Sequence, residues 1–469
     1  MHPILFRIPL PGWKLPYFGV VHNIPIYSYG VMLGLSLVVG WYLTLYLSER
    51  DGLPKETMAN CYVVTAISAI IGSRLLYVLT NLDEFQGVGD FFAFRRGGLV
   101  AYGGFLGGYL GSWLYLKRQK IALMPWADVA VPSLASGLLI TRIGCYLFGC
   151  DFGKPLSASA PQWLQKIGSF PHWPAGTLEH GEGAPAWVHH VQHYGLSIDA
   201  THSNPVHPTQ LYESLIGGLL LALLLWQRKH QRFRGQVFML FAFGYGFLRF
   251  LIEMVRDDAE RGVWGPHLTA DVLIPGALAL FAIGYAISFA RAIDNVTMRR
   301  LTQVISFVPA IVAYLALKPA SYVSSEMAQL STSQWVGVAT AVAVAIAFGV
   351  FWKVAEAHPE QAMALDLTGF YALEKARSDA EAGKVAKSGG GRKSDDDDED
   401  DEDDEDRDED EKKKPAAKDD AIDAKFDDDK PSKDDKKPAA KDDAIDAKFD
   451  DDKPSKDEDE KKSSEEDDA

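Results

Sequence analysis

Cysteine is scarce in this chain, with three in 469 residues, too few for a fold framed by disulfides. Cys61 lies at the start of an apolar run, where a small buried hydrophobe belongs. Cys145 and Cys150 fall near the end of another run; five residues of separation put them on different faces of one helix, so a bridge needs the helix to end between them. Chemically, a disulfide is permitted there if that end faces an oxidising compartment. Acid is scarce too, once the chain is divided. Of its 63 acidic and 47 basic residues, 38 and 16 lie in 394–469, giving that segment a net charge of −22 and the remainder +6. The overall charge of −16 and near-zero mean hydropathy therefore average two unlike polymers. The acidic segment has almost no core-forming side chains, and its residues 413–434 recur as 436–457. It reads as disordered, a solubilising or charge-screening appendage before a dedicated binding element. A cleavable signal peptide is not evident either: Met1 to Val21 holds prolines and Lys14 and no continuous apolar stretch.

What the body does have is apolar runs of helix-spanning length. They are Tyr27 to Leu47, Tyr62 to Leu79, Leu99 to Leu116, Val129 to Phe148, Leu211 to Trp226, Val237 to Val255 and Val272 to Ala290, followed by a shorter one from Val304 to Leu317 and a clear one from Trp335 to Trp352. About 20 apolar residues in a helix match the roughly 30 Å hydrocarbon layer. A soluble helical core needs a polar face every 3.6 residues, which these segments lack. Lys and Arg gather in every second loop: Arg50 and Lys55; Lys117, Arg118 and Lys120; Arg228, Lys229, Arg232 and Arg234; Arg291, Arg299 and Arg300. Those loops are expected in the cytoplasm and the N-terminus outside, with Arg95 and Arg96 against the pattern. The long outer loop, 154–206, carries Trp163, Trp173 and Trp187 and is expected to lie against the bilayer surface.

Ionisable side chains inside spans are costly and mark functional sites. The topology sets Tyr29, Tyr102, Arg142, Glu213, Arg249 and Glu253 toward the outer leaflet, with Arg74 in the outer half of its span. Guanidinium forks pair with phosphate oxygens, so Arg142 and Arg249 are the candidates for holding an anionic lipid headgroup. Arg249 also has Glu253 one turn away and can serve as a structural bridge, whereas Arg142 has no acidic partner one turn away in its own span. Six glycines between Gly97 and Gly108 permit close helix packing, close approach of a ligand, or both. His207, before Pro208 at the start of a span, is either a proton acceptor at the membrane surface or a local hydrogen-bonding residue. The outer loop is rich in histidine; His189 and His193 have metal-ligand spacing but no third ligand, so no metal site is expected.

The segment Thr141-Arg142-Ile143-Gly144-Cys145-Tyr146-Leu147-Phe148-Gly149-Cys150-Asp151-Phe152-Gly153 resembles the signature of the prolipoprotein diacylglyceryl transferase family in Arg142, Gly144, Gly149 and Gly153. It departs from that signature at Cys145 and Cys150, where many members have asparagine and glutamate. Tyr27 to Gly30, Gly97 to Gly108, His207 to Glu213, and the pattern Arg249-x-x-x-Glu253-x-x-Arg256 are similar to further family segments, in the expected order. The resemblance covers roughly Met1 to Ala290 and implies an all-α polytopic membrane protein with a seven-span transferase core over 1–290. Beyond it the apolar runs and the composition alone lead us to expect an additional membrane hairpin over 291–356 and a cytoplasmic tail over 357–469 that is disordered and acidic from about residue 388.

It further implies transfer of a diacylglyceryl group from phosphatidylglycerol to the lipobox cysteine of a prolipoprotein signal peptide, forming a thioether and releasing glycerol 1-phosphate. The setting it implies is the periplasmic leaflet of a bacterial inner membrane, with no cofactor, metal or nucleic acid. Arg142, Arg249, Tyr29, Glu253 and Gly153 are the residues expected to hold the lipid, and Tyr102, Arg142, Arg249 and His207 the catalytic ones. Many members carry histidine where Tyr102 stands, and a phenol of reference pKa ~10 accepts a proton poorly unless nearby arginines lower it. Three routes stay open: Tyr102 as a phenolate held by arginine, His207 as base, or Tyr102 orienting substrate while phosphate and water carry the proton. A non-catalytic phospholipid transporter or scaffold is the alternative from another class.

Overall fold

A computed structural model describes residues 2–15, 19–82, 91, 98–173, 183–257, 262–318 and 327–389. The expected disorder of the acidic repeat, and Arg95, Arg96, Gly97 and His180, fall outside them. The chain opens with an antiparallel hairpin, β1 (Ile4–Leu15) and β2 (Gly19–Tyr27), and then turns helical. The next helices are α1 (Ser28–Arg50), α2 (Lys55–Thr80), α3 (Ala101–Arg118) and α4 (Leu123–Phe148). Two short helices, α5 (Gln162–Ile167) and α6 (Pro185–His193), precede α7 (Thr209–Arg228) and α8 (Gln236–Glu253). After β3 (Val263–Thr269) come α9 (Ala270–Ile287), α10 (Val296–Ile305) and α11 (Val308–Leu317); β4 (Met327–Ser331) pairs with β3 and leads into α12 (Thr332–Ala357). A four-residue turn, α13 (Pro359–Ala362), and α14 (Thr368–Gly389) follow.

Among the described residues eight segments are long and apolar enough to cross a bilayer: α1, α2, α4, α7, α8, α9 with the turn after it, α10 with α11, and α12. Helix α3 lies antiparallel along α2, where Gly72 meets Gly107 so closely that a Cβ on Gly72 would sit 2.8 Å from the Gly107 Cα. The glycine-rich stretch is thus a packing surface at Gly103 and Gly107. Burial is inverted relative to a soluble protein. Leu35, Val38, Ile67, Ile70 and Ile71 are exposed along α1 and α2, while Ser36, Thr44, Ser112, Ser136 and Gln210 are buried. Continuous exposed apolar faces of this length need lipid against them, and the chain is a multi-pass, all-α membrane protein.

The basic loops share one end of the bundle and are tied there by two acids, one half-buried and one buried. Asp51 accepts from Arg228 and Arg234, each at 2.7 Å. Asp128, fully buried in α4, accepts from the Gly235 and Phe238 amides and so caps α8 from a different helix, supplying the acceptor and the negative charge that a helix start favours. Leu367 and Phe370, at the start of α14, pack beside Leu47, Met58, Cys61 and Leu116, which places Cys61 in an apolar cluster. Further along the chain, α12 packs on α8 through Gly337 and Gly246, α11 lies against α9, and Phe243, Phe281, Phe289 and Phe348 fill the space between.

Among its described residues the outer loop forms a small core of its own. Trp173 and Trp187 are buried with Phe152, Phe170 and Val206, and Trp163 alone of the three tryptophans is exposed. The bilayer-surface reading therefore suits Trp163; the other two hold the loop together.

Candidate active site

At the end of the bundle opposite the basic loops, three arginines and three carboxylates from four chain segments form one cluster. Arg142 comes from the last two turns of α4 and Asp151 from just beyond that helix; Glu213 lies in the second turn of α7, and Arg249 and Glu253 end α8, with Arg256 just after. Arg142 donates to Asp151 at 2.6 Å and forms an ion pair with Glu213 on its Nε side. Arg249 pairs with Glu213 and, at 2.9 Å, with Glu253 one turn on. Arg256 donates to Asp151 at 2.5 Å and lies 3.8 Å from Glu213 and 3.9 Å from Glu253. Three positive charges meet three negative ones, which is how charges survive burial at all.

The carboxylates are not equivalent. Glu213 and Glu253 side chains are 5% and 2% exposed, whereas that of Asp151 is 25% exposed and stands at the rim. Burial opposes ionisation of Asp151, but the guanidiniums of Arg142 and Arg256 more than offset it and bring its carboxyl down to about 2. Asp151 is thus an ionised, partly accessible anion gripped by two guanidinium forks, the arrangement that also suits a phosphate.

Local sequence explains the placement. Gly149, at φ +83°, takes the left-handed conformation that ends α4, its amide bonding the Cys145 carbonyl at 2.7 Å. The chain then doubles back, so that Thr209 and Gln210, in the first turn of α7, donate to the carbonyls of Asp151 and Cys150. Gly153 is wedged between His207 and Val255; a Cβ on it would lie 2.7 Å from the Val255 carbonyl oxygen. The small segment 151–155 thereby links the starts and ends of α4, α7 and α8.

Of the residues singled out from sequence, Arg142, Arg249, Glu253 and Gly153 are in or against this cluster. Tyr29 stands within electrostatic reach of Arg142, Cys145 and Asp151. Tyr102 lies near Tyr245, which in turn is near Glu213, Arg249 and Arg142. His207 sits behind Gly153, its Nδ1 3.4 Å from the Tyr212 hydroxyl, and burial lowers its pKa below the ordinary histidine value. Asp151 and Tyr245 are brought in by the structure, whereas sequence offers Arg256 as the end of the Arg249-x-x-x-Glu253-x-x-Arg256 pattern and Glu213 both by depth and as the end of the His207 to Glu213 segment, without assigning either a role. Spacing held a signal for Arg256, three residues after Glu253 and seven after Arg249 on one helical face; Asp151 carried none of that kind. Arg74 has another task, donating to the carbonyls of Phe91 and Gly98 at 3.0 Å and so fixing the approach to α3.

Several described histidines of the outer loop pack against neighbouring rings. His172 stacks on Trp187 with ring centroids 4.2 Å apart, and His189 and His193 lie 4.5 Å apart near Asp257 and Tyr194. Among the described residues one group has metal-ligand spacing, Cys145, Cys150 and Asp151. Its carboxylate oxygens already face Arg142 and Arg256, whose charges oppose a cation there.

Comparison with known proteins bears on what such a cluster does. A family model described as prolipoprotein diacylglyceryl transferase matches residues 16–317. Proteins named phosphatidylglycerol–prolipoprotein diacylglyceryl transferase are similar to about half of the chain. One from Psychrobacter arcticus is 31% identical over 269 residues, 55% of this chain and 89% of the relative. Another, from Clostridium tetani, is 28% identical over 264 residues, 56% and 88%, and one from Bacillus cereus is 28% identical over 260, 55% and 86%.

Proposed function

The chain belongs to the prolipoprotein diacylglyceryl transferase family, and on that premise we propose that the arginine and carboxylate cluster holds the phospholipid headgroup during transfer. The protein is a membrane transferase that moves a diacylglyceryl group from phosphatidylglycerol to a prolipoprotein, the first step of lipoprotein maturation. The observation that carries the assignment of the site is the grip of Arg142 and Arg256 on the accessible Asp151. A lipid phosphate entering from the outer leaflet takes the place of this carboxylate, and Arg249, braced by Glu213 and Glu253, adds a third positive charge.

In the reaction, the sulfur of the lipobox cysteine attacks the glyceryl carbon that bears the phosphate. A C–S bond forms as the C–O bond breaks, and its electron pair leaves with glycerol 1-phosphate. The nucleophile is the thiolate, so the thiol proton goes to Tyr102, to His207, or through water to the departing phosphate. Negative charge gathers on the phosphate, and fixed guanidiniums stabilise it more in the transition state than in the ground state. Glu213 and Glu253 keep the forks aimed, and Tyr29 and Gly153 shape the rim. Supporting an outward-facing site is its place at the end of the bundle away from the basic loops; a bacterial inner membrane with the C-terminal tail in the cytoplasm fits that orientation.

The test is to incubate the full chain with phosphatidylglycerol vesicles and a lipobox peptide, then weigh the peptide. The intact protein adds one diacylglyceryl group, while Arg142→Gln and Arg249→Gln lose about 10²- to 10³-fold in rate, the usual effect of removing a charge-stabilising donor. Unchanged rates in both variants would remove the cluster from the headgroup role.

A further inference from the structure

Cys145 and Cys150 are brought together by the way α4 ends. With Gly149 left-handed just past the helix, Cys145 lies in the last turn and Cys150 one residue beyond the glycine, the two positions whose side chains meet across a helix C-terminus of this kind. Their sulfurs and a carboxylate oxygen of Asp151 all lie within 4.8 Å of one another. Both are free thiols, Cys145 buried and Cys150 partly exposed. Arg142 Nη1 stands 3.9 Å from the Cys145 sulfur, and a cation beside a sulfur favours the thiolate with which disulfide exchange begins. Neither thiol is needed by the transfer described above, whose nucleophile comes from the substrate.

We propose that Cys145 and Cys150 are a thiol–disulfide exchange site whose oxidation tethers Asp151 against Arg142. The oxidant is a disulfide of the external compartment. One protein thiolate attacks it to give a mixed disulfide and a free thiol; the second protein thiol then displaces the bound half. One S–S bond forms between Cys145 and Cys150, two protein S–H bonds are lost, and their two protons and two electrons end on the oxidant's two thiols. Asp151 follows Cys150 directly, and the carbonyls of both are already pinned to α7. A covalent link from Cys150 back to α4 therefore hinders the carboxylate from leaving its two guanidiniums. The consequence for lipid entry rests on the headgroup reading above; the exchange chemistry does not.

The experiment uses the full chain in membrane vesicles, equilibrated with oxidised glutathione or with dithiothreitol, alkylated, digested with trypsin and weighed. Because trypsin does not cut Lys154–Pro155, residues 143–166 form one tryptic peptide holding both cysteines, and the peptide 56–74 holds Cys61 as a control. After oxidation the first peptide is expected unalkylated and lighter by two hydrogens, after reduction doubly alkylated, with Cys61 the same in both. The oxidised protein is expected to transfer lipid about fivefold more slowly or less still, the lower range of measured site couplings, and Cys150→Ser to show one rate in either buffer. Full alkylation after oxidised glutathione overturns the exchange site. So does protection from alkylation by zinc alone that a chelator reverses, since that makes the group a metal site. A formed disulfide with an unchanged rate overturns the tether. Thiol mapping needs no transfer activity, so a failure of the headgroup reading, seen in the arginine variants, is read separately.

Discussion

Replacing Asp151 with asparagine separates the stability of the charge cluster from its affinity for lipid, because the two should move in opposite directions. The carboxyl of Asp151 is held down at about 2 where 3.8 is ordinary, so it contributes stability that is present above 3.8 and lost as pH falls through about 2. That displacement corresponds to about 2.5 kcal/mol at 1.36 kcal/mol per tenfold change in equilibrium, and the side chain is a quarter exposed, so solvent screens only part of it. Asp151→Asn should therefore unfold more easily by about 2 kcal/mol. A lipid phosphate entering the wild-type site must displace the same carboxylate, so in the variant that opposition is gone and the affinity for phosphatidylglycerol should rise between about tenfold and sixtyfold. Detergent-solubilised protein titrated with a short-chain phosphatidylglycerol gives the affinity, and thermal unfolding gives the stability. Equal or weaker lipid binding by a folded variant would refute the idea that Asp151 occupies the phosphate's place.

Three further outcomes are expected. Tyr102→Phe and His207→Ala, compared in the lipid-transfer assay, decide the proton's route: full activity in either variant removes that residue, and full activity in both leaves the phosphate and water. His190 is fully buried, its Nδ1 accepts from the Asn204 amide at 3.1 Å, and burial followed by His189 lowers its pKa from 6.5 to about 4. The outer loop should then keep its full stability above pH 6.5 and lose up to about 3 kcal/mol toward pH 4, seen as faster hydrogen exchange or proteolysis in 183–206, with the dependence absent in His190→Phe. Truncation after residue 389 should leave transfer intact, whereas truncation after residue 290 removes α12, whose Phe348 and Trp352 fill the core beside α8, and should abolish folded protein in the membrane fraction.

The sequence by itself determined the membrane class and picked out the charged side chains set within apolar runs. Hydropathy is a local property, set by consecutive residues against a bilayer of fixed thickness, and an arginine in an apolar run is costly enough to be conspicuous wherever it falls. Arg142 and Arg249 stood out for that reason alone. Glu253, one turn from Arg249, was legible as a partner from spacing; partners on other elements were not, because that pairing depends on which helices pack together: Arg142 meets Glu213 across α4 and α7, and Arg256 meets Asp151 from 105 residues away. Tertiary structure also decided that the rim carboxylate lies between two guanidiniums, that Trp173 and Trp187 build a loop core, and that α12 packs on α8 with α11 on α9. At Cys145 and Cys150 the two levels meet. Helical spacing alone sends these side chains apart, and the left-handed turn at Gly149 brings them together, since a helix that ends there no longer rotates the following residue away from its last turn.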